Sequence, residues 1–189
     1  MDPLAPLADL PGVADALARA RTACEELRWH EAYRRRWREV RAEAGVRSAR
    51  ASAALDGGRV PLDAVRSFAV GGTVPVSAPY LLASGALRAA ALVEGLMPDL
   101  GARHAPALPP LAQLLARVHA AAATGLVDDD ELGILRASAP PQDLTGLGPA
   151  PIGDDLAARV ALLGSVLDAT RAPALVVAAV LHGELLTLR

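Results

Sequence analysis

Hydrophobic residues recur at helical spacing along most of the chain. The longest stripe runs from Trp29 to Leu55, with apolar positions about every 3.67 residues, and predicts one long helix. Asp56-Gly57-Gly58 is expected to end it, because glycine adopts the left-handed C-cap conformation at no steric cost. The same spacing predicts further helices at Val13–Leu27, from Pro61 to about Phe68, at Tyr80–Met97, at Leu111–Thr124, from Asp154 to Thr170, and at Ala174–Arg189.

Proline and glycine separate these helical segments. Val70–Pro79 and His104–Pro110 are predicted to be loops, and Leu126–Gly153 is predicted to be a short hairpin or an irregular flap. The first half of the last helix is apolar all round, which predicts a central position in a bundle. The fold expected from this pattern is all-α, a bundle of six to seven helices with a small flap.

Composition supports a folded helical protein with a core of small side chains. Of the 189 residues, 52% are hydrophobic but only 3% are aromatic, and mean hydropathy is +0.29. These values exclude wholesale disorder and make an all-β sandwich improbable. The chain has no lysine and no asparagine and is rich in alanine. We interpret this bias as that of a GC-rich bacterial genome.

Net charge, the length of the apolar segments and the cysteine count indicate which partners and which compartment to expect. The net charge is -2, so no overall positive field favours nucleic acid. The apolar segment Ala172–Leu181 is shorter than the roughly 20 residues that span a bilayer. The chain start lacks the pattern of a signal peptide, and Cys24 is the single cysteine, so we expect a cytoplasmic protein with no membrane partner. Cys24 is predicted to be a packed thiol.

The densest basic stretch is Arg28–Arg41. Helical spacing is expected to place Arg34, Arg38 and Arg41 on one face, and Trp29, Tyr33 and Trp37 on another. Binding of nucleic acid favours basic and aromatic side chains on the same surface. We therefore interpret the stretch as a solvated face, and an Arg-rich nucleic-acid binder remains a third functional hypothesis.

The residues that usually carry metal or nucleophilic chemistry are scattered. The four histidines are far apart in sequence and there is one cysteine, so no metal site is predicted. The chain contains neither a glycine-rich phosphate loop nor a nucleophile elbow. The residues alone therefore predict no catalytic group.

Two segments resemble the Fic family, the Fido-domain AMP-transferases. Ser52-Ala53-Ala54-Leu55-Asp56-Gly57 is similar to the family's inhibitory motif S/T-x-x-x-E-G/N, with Asp56 in place of Glu. The stretch Ala179–Arg189 is similar to the helix A-x-x-H-x-x-F-E-x-I, which in the family leads into the catalytic loop H-P-F-x-x-G-N-G-R. The resemblance covers most of residues 44–189 and predicts a Fic-like domain there, with residues 1–43 as an N-terminal helical extension.

The resemblance places Arg189 at the position of the family's catalytic histidine. A guanidinium stays protonated at physiological pH and cannot act as a general base. The resemblance also implies that Ser52, Asp56 and Gly57 form an inhibitory-motif-like segment, and that His182 packs inside the bundle. The chain is therefore predicted to have no catalytic residue and no cofactor, and to act through a protein partner, through regulation or as a homo-oligomer.

One enzymatic alternative remains open. The chain can also be interpreted as a fragment of an active AMP-transferase whose catalytic loop follows Arg189. Such a protein would transfer AMP from ATP to a protein hydroxyl, with ATP and Mg²⁺ held by the restored loop.

Overall fold

The fold is all-α, as the hydrophobic pattern predicts. The computed structural model describes residues 2–104, 106–138, 140–141, 143 and 146–188. The chain described in this way forms eight α-helices, one more than the highest number predicted, because a short helix precedes Val13. They are α1 (Ala5–Ala8), α2 (Val13–Trp29), α3 (Glu31–Leu55), α4 (Leu62–Ala69), α5 (Ala78–Glu94), α6 (Leu111–Ala123), α7 (Gly153–Ala169) and α8 (Ala174–Leu188).

These helices belong to two compact units. The central unit contains Glu31–Pro109 and Gln113–Ile134. The terminal unit contains the segment that ends at His30, residues 110–112, and the segment that begins at Leu135. The predicted boundary after residue 43 falls within α3 and does not coincide with this division, so the assignment of residues 44–189 to a Fic-like domain stays a prediction.

The core of the central unit is built from small side chains. Buried Val46 and Ala53 of α3 meet Val65 of α4 and Ala83 of α5, and Val65 has no exposed surface. The ring of Tyr80 closes the cluster, with its centroid 6.2 Å from that of Phe68 and the two planes at 70°. A core of alanine and valine, as the composition predicts, lets these helices approach closely.

The long helix predicted from Trp29 to Leu55 is interrupted at its start. His30 has an extended backbone, with φ −60° and ψ 131°, so α2 ends at Trp29 and α3 begins at Glu31. Arg36, with φ −132° and ψ 30°, bends α3 one turn later. The segment contains no proline there to mark the break. The predicted end at Asp56-Gly57-Gly58 is confirmed by the end of α3 at Leu55.

Helices α5 and α6 come into direct backbone contact at Gly85. A Cβ added at Gly85 would overlap the carbonyl oxygen of Ala122. Beside this contact, Arg88 donates to the carbonyl oxygens of Ala121 and Thr124 over 2.8 and 2.9 Å, and to the Ser84 hydroxyl over 2.8 Å. The guanidinium thus binds carbonyls at the C-terminal end of α6, where they lack helical partners.

The terminal unit holds its N-terminal segment through one carboxylate. Asp2 accepts hydrogen bonds from the backbone N–H of Arg171 over 2.6 Å and from the Thr170 hydroxyl over 2.7 Å. These donors, the Arg171 N–H first, hold the pKa of Asp2 below its ordinary value. In the same unit, Arg159 of α7 pairs with Glu184 of α8 over 3.1 Å.

Helix α8 is not central, although its sequence is apolar all round. Val176 is buried, but Leu175 is 53% exposed. His182 is also exposed, which corrects the expectation that it packs inside a bundle. Apolar character on every side cannot indicate which face is covered, and small alanines lose little by facing water. Among the described residues, no helix combines the length and the apolar character needed to cross a membrane.

The segment Leu126–Gly153 is irregular in its described residues. An isolated bridge joins Thr124 to Val127, and a single 3-10 turn follows at Asp129–Glu131. Farther along, Gly153 donates to the carbonyl oxygen of Arg136 over 3.1 Å. Residues 139, 142, 144 and 145 of the predicted flap lie outside the described residues. Of the two forms predicted for this segment, the irregular one is confirmed in the part described.

Candidate functional site

A groove of about 740 Å³ lies over α5 in the central unit, with α3 on one side and α6 on the other. On α5 the groove exposes a stripe at helical spacing that includes Leu82, Ala86, Ala89 and Val93. Ala83 and Gly85 lie on either side of this stripe, against α3 and α6 respectively. The stripe therefore lies between the parts of α5 that contact α3 and α6.

The α3 wall of the groove consists of small residues. Their spacing of three or four residues places them along one face of the helix. They are Ala44, Gly45, Ser48, Ala49, Ser52 and Ala53. Such a wall lets another backbone approach closely, because no long side chain stands between the two helix axes.

Both neighbours run antiparallel to α5, so the groove has two distinct ends. Arg41 in the first half of α3 contacts Glu94 at the end of α5, and Gly58 after α3 packs against Leu82 near the start of α5. Ala122 near the end of α6 opposes Gly85, and Gly125 just after α6 lies beside Leu81, one turn nearer the start of α5. The C-terminal ends of α3 and α6 consequently lie at the same end of the groove.

The two ends differ in charge. At the first end, Arg41 pairs with Glu94 over 2.8 Å, and Arg38 pairs with Asp99 over 3.0 Å nearby. At the second end, Asp56 and Leu126 line the groove. Asp56 forms no ion pair with another residue of the described chain. Of the charged residues that line the groove, a pair of opposite sign thus marks the first end and a lone carboxylate marks the second, the acidic end.

The predicted inhibitory-motif-like segment lies at this acidic end. Ser52 and Asp56 are one helical turn apart and both line the groove. Gly57 has φ +85°, and the N–H of Gly58 donates to the Ala53 carbonyl oxygen over 2.7 Å, so the segment closes α3 as a glycine C-cap. Arg189, the fourth predicted site residue, lies outside the described residues.

The basic stretch is arranged differently from the prediction. The guanidinium carbons of Arg38 and Arg41 lie 4.9 and 5.2 Å from the centroid of the Trp37 ring. The expected separation of basic and aromatic faces is therefore wrong: Arg41 lies four residues after Trp37 and so shares its face of the helix, and stacking draws the two arginines over the ring. Four arginines here also pair with carboxylates: Arg35 with Glu31, Arg36 with Glu39, Arg38 with Asp99, and Arg41 with Glu94.

A charge network joins α3 to α4 in the same unit. Glu43 accepts from Arg66 over 2.6 Å and from Arg47 over 2.7 Å, and Arg66 also contacts Asp63 over 2.9 Å. The hydrogen bonds from Arg66 and then Arg47 lower the pKa of Glu43 from 4.5 to about 2. The pKa of Arg66 is raised by the same contacts. The residues of this network stay charged across the physiological pH range. The network joins α4 to the side of α3 that does not line the groove.

The residues that could carry metal or thiol chemistry do not converge. Searching the described residues finds no group of three or more His, Cys, Asp or Glu side chains able to hold a metal ion. Cys24 is exposed on α2, which corrects the expectation of a packed thiol. His119 of α6 has a local role instead, because its Nδ1 accepts a hydrogen bond from the N–H of Gly133 over 2.9 Å.

The terminal unit has a second depression, of about 650 Å³, between the α1–α2 segment and α8. The residues described as lining it are all uncharged and mostly apolar, and include Leu10, Val13, Leu17 and Val180. A surface of this kind can bury apolar area but has no polar group that would orient a ligand. The central groove, with its charged ends, is therefore the better candidate.

The α5 side of the groove was missed by the sequence interpretation. Ala86, Ala89 and Val93 recur at helical spacing, and this signal would have identified a small-residue face on α5. The hydrophobic pattern of the sequence contains no signal that α6 contacts α5 at Gly85. Comparison with family models, with curated proteins and with solved structures finds no match to this chain.

Proposed function

We propose that the chain is a protein-binding helical domain that holds an α-helix of another protein in the groove between α3 and α6. The observation that carries the proposal is the groove itself, about 740 Å³ of mainly apolar space with charged side chains confined to its ends. Catalysis plays no part in this function.

The dimensions of the groove suit a helix. Arg41 and Asp56 mark its two ends on α3, and about 1.5 Å of rise per residue places them about 22 Å apart. A helix of about 15 residues covers that length. The small side chains of α3 and α5 let it lie at a normal packing distance of about 8–10 Å from both axes. Apolar residues at i, i+3, i+4 and i+7 would supply its buried face.

The proposal agrees with a catalytically silent Fic-like domain. That interpretation rests on the sequence resemblance; in the structure, its Ser52 and Asp56 line the groove and a glycine ends α3 after Asp56. A Fic-like domain without its catalytic loop would act by contact with a partner, and the groove supplies a surface for that contact.

A binding experiment with a matched pair of variants tests the proposal. The probe is a fluorescein-labelled synthetic amphipathic helix of about 18 residues, with Leu and Ala on its apolar face, followed by fluorescence anisotropy. Ala90→Glu places a charge in the groove, whereas Ala91→Glu places the same charge on the exposed side of α5. We expect Ala90→Glu to abolish binding and Ala91→Glu to preserve it. Equal binding by both variants, with unchanged circular dichroism, would contradict the proposal.

The enzymatic alternative has its own test. Extending the chain past Arg189 by the codons that follow in its gene, and incubating both forms with labelled ATP and Mg²⁺, separates the two functions. Transfer of label to protein by the extended form alone would establish the AMP-transferase fragment. Transfer by neither form leaves the binding function as the better account.

A further inference from the structure

The acidic end of the groove indicates which kind of helix it holds and in which direction. Asp56 lines this end, and the acidic turn Asp128–Glu131 begins two residues after Leu126, which also lines it. These carboxylates are exposed and form no ion pair within the described part of the chain. The opposite end is neutralised by the Arg41–Glu94 pair.

Helix dipoles reinforce this asymmetry. The C-terminal ends of α3 and α6 carry partial negative charge, and both lie at the acidic end. Asp56 follows directly after the last residue of α3, where a carboxylate is repelled by the dipole. Arg88 compensates part of the α6 terminus by binding two of its carbonyls. Positive charge from a ligand at this end would relieve the remaining repulsion around Asp56.

We propose that the groove is specific for a partner helix that carries basic side chains in its N-terminal turn and that lies antiparallel to α3 and α6. In this orientation the positive end of the ligand dipole and its Arg or Lys side chains meet Asp56 and the acidic turn. The C-terminal end of the ligand then lies near Arg41. This inference rests on the proposed binding function and adds the charge and direction of the partner.

Three synthetic peptides that share the same apolar face test the direction of the bound helix. Each is a synthetic helix of about 18 residues. The first has Arg in its first turn, the second has Glu there, and the third has Arg in its last turn. We expect the first peptide to bind about tenfold more tightly than either of the others at low salt, and the difference to shrink as salt is added.

Substitutions in the protein locate the preference. We expect Asp56→Asn to remove most of the advantage of the first peptide over the other two. Glu26→Gln makes an equivalent charge change on α2, in the terminal unit, and should leave the preference intact. Both positions are exposed, so both variants are expected to fold.

The outcomes separate this inference from the function on which it rests. Equal binding of all three peptides, still abolished by Ala90→Glu, would overturn the charge preference and leave the groove function standing. Tightest binding of the third peptide would overturn the direction. Binding of none of the peptides would overturn both proposals. A concentration-dependent dimer in sedimentation, lost in Ala90→Glu, would identify a second copy as the occupant and overturn the basic-helix specificity.

Discussion

Gly85 of α5 lies against the backbone of Ala122 so closely that a Cβ at this position would overlap the Ala122 carbonyl oxygen. Backbone atoms cannot rotate away as a flexible side chain can, so the two helices would have to separate. We expect Gly85→Ala to destabilise the protein by about 2–3 kcal/mol, although alanine has the higher helix propensity. Urea denaturation measures this change.

The matched control for Gly85 is Gly183 in α8. A Cβ at Gly183 would have no neighbour within 4 Å. Gly183→Ala is therefore expected to stabilise the protein by up to about 1 kcal/mol through helix propensity alone. Two substitutions of the same chemistry should thus have opposite signs. A gain of stability at Gly85 would contradict the close contact between α5 and α6, and a loss at Gly183 would contradict the open space around that position in α8.

Arg88 is expected to stabilise the contact between α5 and α6. Arg88→Met removes the hydrogen bonds to Ala121, Thr124 and Ser84 and leaves half-buried acceptors unpaired. We expect a loss of about 2–3 kcal/mol, seen as a fall in Tm of at least about 4 °C. Arg88→Lys should restore part of it, because lysine keeps the charge but not the planar fork. Arg117→Met on the exposed side of α6 should change stability by less than about 0.5 kcal/mol.

The contribution of Glu43 is expected to depend on pH. Its pKa is about 2 in the folded chain against an ordinary 4.5, so its ionised form is favoured by folding. The stabilisation is therefore fully present above pH 4.5 and is lost as pH falls toward 2. We expect wild type to have a higher Tm than Glu43→Gln at neutral pH and the two curves to converge in acid. A Tm difference that stays constant across this pH range would contradict the assignment. High salt should reduce the Tm difference at neutral pH, because Glu43 and Arg66 are both partly exposed.

Gly57 is expected to be required for the end of α3. Its φ of +85° is unfavourable for residues with a side chain, so Gly57→Ala should cost about 1–2 kcal/mol. Gly57→Asn should cost less, since asparagine enters this conformation more readily. Gly45→Ala, in the same helix and with no neighbour within 4 Å, should instead be stabilising. Thermal unfolding of the three variants distinguishes a C-cap requirement from a general intolerance of alanine in α3.

Local sequence signals predicted the parts of the fold that depend on local physics. Glycine geometry at Gly57 predicted the end of α3 at Leu55. Acidic residues in a first turn predicted the start of α7 near Asp154. The break at His30 carries no such signal, since neither glycine nor proline is present there. The stacking of Arg41 on Trp37, in contrast, follows from an i, i+4 spacing that the sequence does contain.

The candidate site could be predicted only in part, because it depends on contacts between residues that are far apart in the sequence. Ser52 and Asp56 were found from a six-residue motif, and they do line the groove. Ala86 and Val93 line the same groove only because α5 returns antiparallel to α3, a long-range arrangement that periodicity does not specify. The hydrophobic pattern of α8 failed in the opposite way, because it predicted burial without identifying the surface that would cover Leu175.

The stacking of Arg41 on Trp37 gives the protein a built-in optical reporter. The chain has two tryptophans, Trp29 and Trp37, and Arg41 both lines the groove and lies over the indole of Trp37. A helix that displaces this guanidinium would alter the polarity around the indole and shift its emission. With Trp29 replaced by phenylalanine, occupancy of the groove becomes readable from intrinsic fluorescence, without a label on either molecule.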